Sequence, residues 1–346
     1  MPCRIVSILL VCLPAMAGPA IAAPPNGPPL VMTSSGDHYW QASLSGGPGK
    51  DGIPSIDDPN FVPAAQADEW LAAGSRIIGV YRNGEAKAYP QSILVWHEIV
   101  NDTVGGDRLS VTYCPLTGTA LGFLRGTTEF GVSGRLVNSN LIMYDRDSES
   151  HWPQILASAV EGPRKGRSLH QVRVFWTTWD RWRTRYPDTK VLSKEQTGHL
   201  RSYRSDPYGG YNPRRGYYAE QSPRAFPVMH ESERYPPKRE IYGFRTGSVA
   251  VAVDRAALAK HSVLRHRGKQ ADFLVLHDPG LGTAWVYRGE PGELPADEAL
   301  RDLTFTKGGP RNEALSGLVA APGFEAMWFA WYAFYPDTVV LDGNAD

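Results

Sequence analysis

The side chain in this sequence best suited to covalent chemistry is Cys114, in the run Thr112-Tyr113-Cys114-Pro115-Leu116-Thr117-Gly118. The other two cysteines, Cys3 and Cys12, fall in an N-terminal segment that reads as removed on export, so the mature chain keeps one thiol. A candidate proton partner lies upstream. Gly105-Gly106 suits a two-residue hairpin turn, because both glycines take positive φ without steric cost. Residues facing each other across that hairpin have numbers summing to 211, which sets Val104 opposite Asp107, Asn101 opposite Ser110 and His97 opposite Cys114. Directly opposite Cβ atoms lie about 4.5–5.5 Å apart. An imidazole at that range would take the thiol proton and, as imidazolium, lower the thiol pKa.

Three kinds of chemistry fit this pair. The first is a thiol-dependent oxidoreductase, with Cys114 as nucleophile or redox centre and His97 as its proton partner. Cys-Pro-Leu-Thr is similar to a Cys-x-x-Cys redox site whose second thiol has become a hydroxyl. An oxidised Cys114 would therefore be resolved by an external thiol or redox partner, or by the substrate. Tyr113, Thr117, Ser133, Asn138, Asn140 and Asp145 are candidates to line a polar pocket beside it. The competing reading of the Asn, Ser and Asp residues is plain turn formation, with Asp145-Arg146 a surface ion pair. The second chemistry is metal binding, with Cys114, His97, His261 and His277 in one cleft holding copper or zinc and Met143 able to complete the set. The third is a non-catalytic ligand-binding module in which Cys114 is inert core. No G-x-S-x-G or phosphate-loop motif is present.

The elements that must position these residues follow from an internal repeat. At an offset of 164, Gly79 matches Gly243, His97 matches His261, Pro115 matches Pro279, and Gly118-Thr119-Ala120 matches Gly282-Thr283-Ala284. Further on, at an offset of 149, Trp179-x-x-Trp182 and Tyr186-Pro187-Asp188-Thr189 match Trp328-x-x-Trp331 and Tyr335-Pro336-Asp337-Thr338. By the offset of 164 the second hairpin turns near Lys269-Gln270, with His261 opposite Asp278. The expected organisation is a signal peptide over 1–22, an extension over 23–74 and one repeat over 75–195. A Tyr/Arg/Pro-rich insert over 196–238 and a second repeat over 239–346 complete it. The fold class is mainly β with short helices (α+β): two tandem, pseudo-twofold-related repeats of short strands, each closed by a Trp-x-x-Trp helix, Thr178–Arg185 and Ala326–Phe334. The insert, long for a solvated linker and rich in aromatics, is expected to pack over the surface as a lid.

Composition bounds the setting. Arg4, the apolar run from Ile5 to Leu13, and Ala20-Ile21-Ala22 make an n-region, an h-region and an A-x-A cleavage site, too short to span a bilayer. Export to the periplasm or the exterior is expected, with no integral membrane segment after cleavage. Formal net charge is zero, and loss of Arg4 leaves −1, which gives no electrostatic case for nucleic acid. The 10 Trp, 16 Tyr, 35 Gly and 28 Pro suit many short strands joined by turns.

Several runs together resemble one family. They are Val95-Trp96-His97-Glu98-Ile99-Val100-Asn101-Asp102, the Thr112–Gly118 run, Ser133-Gly134, Asn138–Arg146 and Glu149-Ser150-His151-Trp152-Pro153-Gln154, with Tyr186-Pro187-Asp188-Thr189, Asp206-Pro207-Tyr208-Gly209 and Trp328–Thr338. On these the chain is identified as a member of domain-of-unknown-function family 3179. The resemblance implies no established activity or substrate, small molecule or peptide. It does imply selenocysteine in relatives at the position of Cys114, and hence a redox or nucleophilic role there.

Overall fold

The computed structural model describes residues 23–195 and 197–343. The expected signal peptide lies outside these. The chain is mainly β, in several sheets of two to five strands with a few short helices between them. Most strands are antiparallel and their apolar residues are buried on both faces, so sheets and helices stack on one another and leave little of the strand surface wet.

Two regions have the same local construction. In the first, Arg76–Arg82 pairs antiparallel with Glu85–Pro90 and with Phe175–Thr178, and Lys190–Leu192 runs parallel to Glu85–Pro90. In the second, Glu240–Arg245 pairs antiparallel with Ala250–Asp254 and with Gly323–Met327, and Val339–Leu341 runs parallel to Ala250–Asp254. Each carries a seven-residue helix, Trp179–Arg185 or Trp328–Phe334. Both helices start one or two residues later than the sequence pattern suggests. Ala326 and Met327 instead belong to the preceding strand.

Trp-x-x-Trp spacing sets both rings of each helix on one inward face. Trp182 Nε1 donates to Thr189 Oγ1 at 3.0 Å and Trp331 Nε1 to Thr338 Oγ1 at 2.9 Å. Gly79 and Gly243 lie directly under these two rings, where any Cβ would collide with the indole. Each fully buried ring removes roughly 200 Å² from water, worth about 5 kcal/mol.

Each region also holds a hairpin-based sheet. The first joins Ile99–Val104, Asp107–Cys114 and Thr119–Leu124 in sequence order. The second joins Val263–Arg267, Asp272–Asp278 and Thr283–Gly289. The turn of the second hairpin is centred on Lys269-Gln270 but spans four residues, because the last pair is Arg267 with Asp272.

Candidate functional site

The first hairpin folds in the register the sequence suggests: Val104 pairs Asp107, Asn101 pairs Ser110 and Ile99 pairs Thr112. Gly105 and Gly106 take φ of 56° and 85°, as a tight two-residue turn requires. The ladder then stops short of His97. Glu98 has φ of 58°, and Ile99 N donates to His97 O at 2.6 Å, so Glu98 is the central residue of a γ-turn, a strained conformation for any side chain but glycine. Tyr113 N still reaches Glu98 O at 2.7 Å. Past that bond the alternation of faces is broken, and His97 does not stand opposite Cys114.

His97 is spent elsewhere. Its Nδ1 lies 2.8 Å from Pro54 O and its Nε2 lies 2.7 Å from Tyr203 Oη. A carbonyl can only accept, so Nδ1 carries the proton and Nε2 accepts from the phenol. Burial pushes His97 down to about 4, aided by nearby His199 and Arg201, so the ring is neutral at pH 7. No imidazolium is available to stabilise a thiolate.

Cys114 is 0% exposed and ends its strand at the turn Cys114-Pro115-Leu116-Thr117, closed by Thr117 N to Cys114 O at 3.3 Å. Its Sγ lies 3.8 Å from Ser139 O, and hydrogen bonding from Thr117 and the Leu141 backbone tempers its pKa. Desolvation, with the Glu98 carboxylate beside it as the next cause, pushes the thiol up to about 11. Glu98 is 6% exposed, and its side chain has no hydrogen-bond or ion-pair partner among the described residues. Burial alone pushes that carboxyl up to about 8. The thiol's acid–base neighbour is therefore Glu98, one residue from the histidine that the strand alternation selects. A buried carboxyl without a partner is costly, and such groups concentrate where chemistry is done.

Under the turn lies a closed polar network. Thr119 Oγ1 donates to Gln154 Oε1 at 2.6 Å, Asn140 Nδ2 reaches Thr117 Oγ1 at 3.1 Å and Gln154 Oε1 at 3.0 Å, and Gln154 Nε2 reaches Thr112 Oγ1 at 2.8 Å. Ile155 N donates to Asn140 Oδ1 at 2.9 Å. Thr117 and Asn140 thus hold the turn beneath the thiol in place, with little capacity left for a ligand. Tyr113 points away from Cys114, its Oη 3.0 Å from Tyr211 Oη and its ring stacked on Trp176.

The remaining candidates hold backbone. Ser133 caps a bulge in Phe130–Val137, its Oγ donating to Ile142 O at 2.5 Å. Asn138 ties the next turn to Ala333 O at 3.1 Å and Met229 N at 2.8 Å. Asp145 is buried and saturated by Arg164, Ser148 and Trp152 Nε1, so it is no surface ion pair. Met143 is buried core.

The insert covers the thiol. Tyr217 Oη donates to Leu116 O at 2.8 Å, Ser139 Oγ donates to Phe226 O at 2.9 Å, and Trp96 Nε1 donates to Ser205 O at 3.2 Å. Tyr208 and Tyr217 lie close enough to Cys114 for a thiolate to raise both phenols. Lys238, fully buried at the far end of the insert, donates to Ser222 Oγ at 2.8 Å and Pro223 O at 3.0 Å and to Tyr217 O. Glu98, Tyr208 and Tyr217 were not singled out by sequence reasoning. The tyrosines stand in an aromatic-rich insert that could have flagged them.

The four residues of the metal reading are scattered. His261 ends the helix Arg255–His261 and is exposed, and the ladder that would set it opposite Asp278 stops at Val263 with Leu276. His277 lines a separate cleft. Among the described residues, no group of three or more His, Cys, Asp or Glu side chains is placed to hold a metal ion. No described helix is long and apolar enough to cross a membrane.

Compared with known families, residues 50–338 match the model described as protein of unknown function (DUF3179). No curated protein and no solved structure matches the chain.

Proposed function

The chain belongs to the DUF3179 family, a family of unknown function, and from its own residues we propose that it is an exported thiol–disulfide oxidoreductase in which Cys114 is the nucleophile. The observation that carries this reading is Glu98, an unpartnered buried carboxyl in a strained turn beside a buried thiol. A group held near pH 8 is matched to proton transfer at neutral pH, and such a base contributes roughly 10²–10⁴-fold.

The step balances as an exchange. With the insert lifted, the Cys114 thiol gives its proton to the Glu98 carboxylate and Sγ attacks one sulfur of a substrate disulfide R–S–S–R′. The S–S bond breaks, R′–S⁻ takes the proton from Glu98, and Cys114–S–S–R remains. An external thiol R″–SH then attacks this mixed disulfide, releasing R–S–S–R″ and restoring the Cys114 thiol. His97 is a positioning residue, holding Tyr203 of the insert against the Pro54 segment. We propose further that the two regions are copies of one unit, with the insert a lid between them. The matching pairings and the paired Gly–Trp contacts support this.

The copper or zinc alternative has no comparable support, because its candidate ligands are apart. The test is reaction of the native protein with a small aromatic disulfide, read as released thiolate and as an adduct mapped to Cys114. Wild type should react faster than it globally unfolds, Cys114→Ser should not react, and Glu98→Gln should be slowed at least tenfold. Faster reaction of Glu98→Gln would leave Glu98 as a repelling charge and no base. Reaction of wild type only at the unfolding rate would make Cys114 inert core.

A further inference from the structure

A concentration of arginines lies away from Cys114, in a cleft of about 470 Å³. Its walls come from three segments. Arg181 is on the helix Trp179–Arg185, Arg214 and Glu220 are on the insert, and Arg239, Glu240 and Arg255 belong to the second region. Four guanidiniums thus face two carboxylates. Their pairing decides what is left over.

Arg239 is satisfied by Asp254 at 2.9 Å and Glu220 at 3.4 Å, and Arg255 by Glu240 at 3.1 Å and Gly282 O at 2.6 Å. Arg214 donates to the carbonyls of Tyr218 at 3.0 Å and Lys238 at 2.6 Å and makes no ion pair of its own among the described residues, sharing the field of Glu240 with Arg255, Arg76 and Arg239. Arg181 has no hydrogen-bond or ion-pair partner among the described residues. It lies against Gly282, whose φ of 66° and missing side chain make room for the guanidinium. His277 adds a ring at the same wall.

We propose that this cleft binds a small oxyanion, a carboxylate or a phosphate-type group, with Arg181 as its principal donor and Arg214 and His277 beside it. The size is that of a small-molecule site, and guanidinium forks match both anions in bidentate geometry. Neither Cys114 nor Glu98 lines the cleft, so this inference does not depend on the thiol reading.

The test is titration calorimetry of the whole mature protein with inorganic phosphate, sulfate and malonate, each at constant ionic strength maintained with sodium chloride. Saturable binding of at least one is expected. Arg181→Glu should weaken it about tenfold or more, as loss of a charge-assisted pair does, and His277→Gln less. Cys114→Ala should bind as wild type. Phosphate and sulfate without malonate would support a phosphate-type ligand, and malonate alone a carboxylate. No saturable binding beyond the chloride control, or wild-type affinity in a folded Arg181→Glu, would overturn the proposal.

Discussion

The turns that enter and leave the two hairpins share a backbone and differ in how their side chains are satisfied. Glu98 and Ser262 both hold positive φ, 58° and 64°, and each offers its carbonyl to the penultimate residue of the facing strand: Tyr113 N at 2.7 Å, His277 N at 2.8 Å. Gly118 and Gly282 take φ of 62° and 66° at the same place in the next turn. Cys114 ends one strand and Asp278 the other. Asp278 is saturated, by Arg185 at 3.0 and 3.2 Å, by Gly280 N and Leu281 N, and by Trp285 Nε1. Cys114 makes only weak hydrogen bonds, the 3.8 Å contact to Ser139 O among them, and has an unpartnered carboxyl for a neighbour. The same scaffold is used as an anchor at one end and left unsatisfied at the other. The position that the Asp278 carboxylate closes with five bonds in one region is the position of the proposed nucleophile in the other.

The largest expected effect breaks the anchor. Asp278→Ala removes the buried carboxylate that Arg185, Gly280 N, Leu281 N and Trp285 Nε1 all bond, and should cost about 3–5 kcal/mol in urea unfolding. Cys114→Ala removes one sulfur from the core and should cost about 1–2 kcal/mol. Equal losses would mean that Cys114 is as structural as its counterpart, and the contrast between the two turns would collapse.

Next comes the pH dependence of stability. The folded-state pKa of Glu98, about 8, stands above its ordinary value of 4.5, so between these limits the folded protein binds more protons than the unfolded chain. Stability then falls as pH rises from about 4.5 to 8, and the penalty is complete above that window. Glu98→Gln cannot ionise. It should unfold with a flatter profile and gain roughly 2–5 kcal/mol over wild type at pH 9, measured by urea midpoint across the range. His97 acts in the opposite sense. Lowered to about 4, it costs stability only as pH falls below its ordinary 6.5, so the two residues titrate in overlapping windows and the His97→Gln background separates them.

How much of this was legible follows from where local rules hold. Gly105-Gly106 gives the hairpin register because a two-residue turn leaves no freedom to slip, and Trp-x-x-Trp with Tyr-Pro gives both helices. Cys114 stands out by elimination. Glu98 does not, because the pairing arithmetic assumes an unbroken ladder, and nothing in Trp96-His97-Glu98-Ile99 announces a positive φ at a glutamate. One γ-turn exchanges which of two adjacent side chains neighbours the thiol. The Arg181 cleft was equally hidden, since its walls meet only through tertiary packing of three distant segments.

A smaller effect tests the cover. Tyr217→Phe deletes the bond to Leu116 O, worth about 1 kcal/mol, and should speed native labelling of Cys114 about fivefold if lifting of the insert gates access. The urea midpoint should shift far less than the rate. No change in rate would mean that reagent reaches the thiol by another route.

The smallest effect sharpens the comparison at the backbone itself. A non-glycine residue at positive φ costs roughly 1–2 kcal/mol, and glycine there returns about 0.5–1 kcal/mol of that in added unfolded-state entropy. Ser262→Gly should therefore stabilise by no more than about 1 kcal/mol, while Ser262→Ala, which keeps the Cβ, should not stabilise at all. At the other turn Glu98→Gly removes both carboxyl and strain, so its excess over Glu98→Gln isolates the backbone share. An excess equal to the Ser262→Gly gain would mean that the two turns carry the same strain and differ only in side-chain satisfaction. A clearly larger excess would mean that the γ-turn at Glu98 is held under additional load, with the 2.6 Å bond between Ile99 N and His97 O as the feature that distinguishes it.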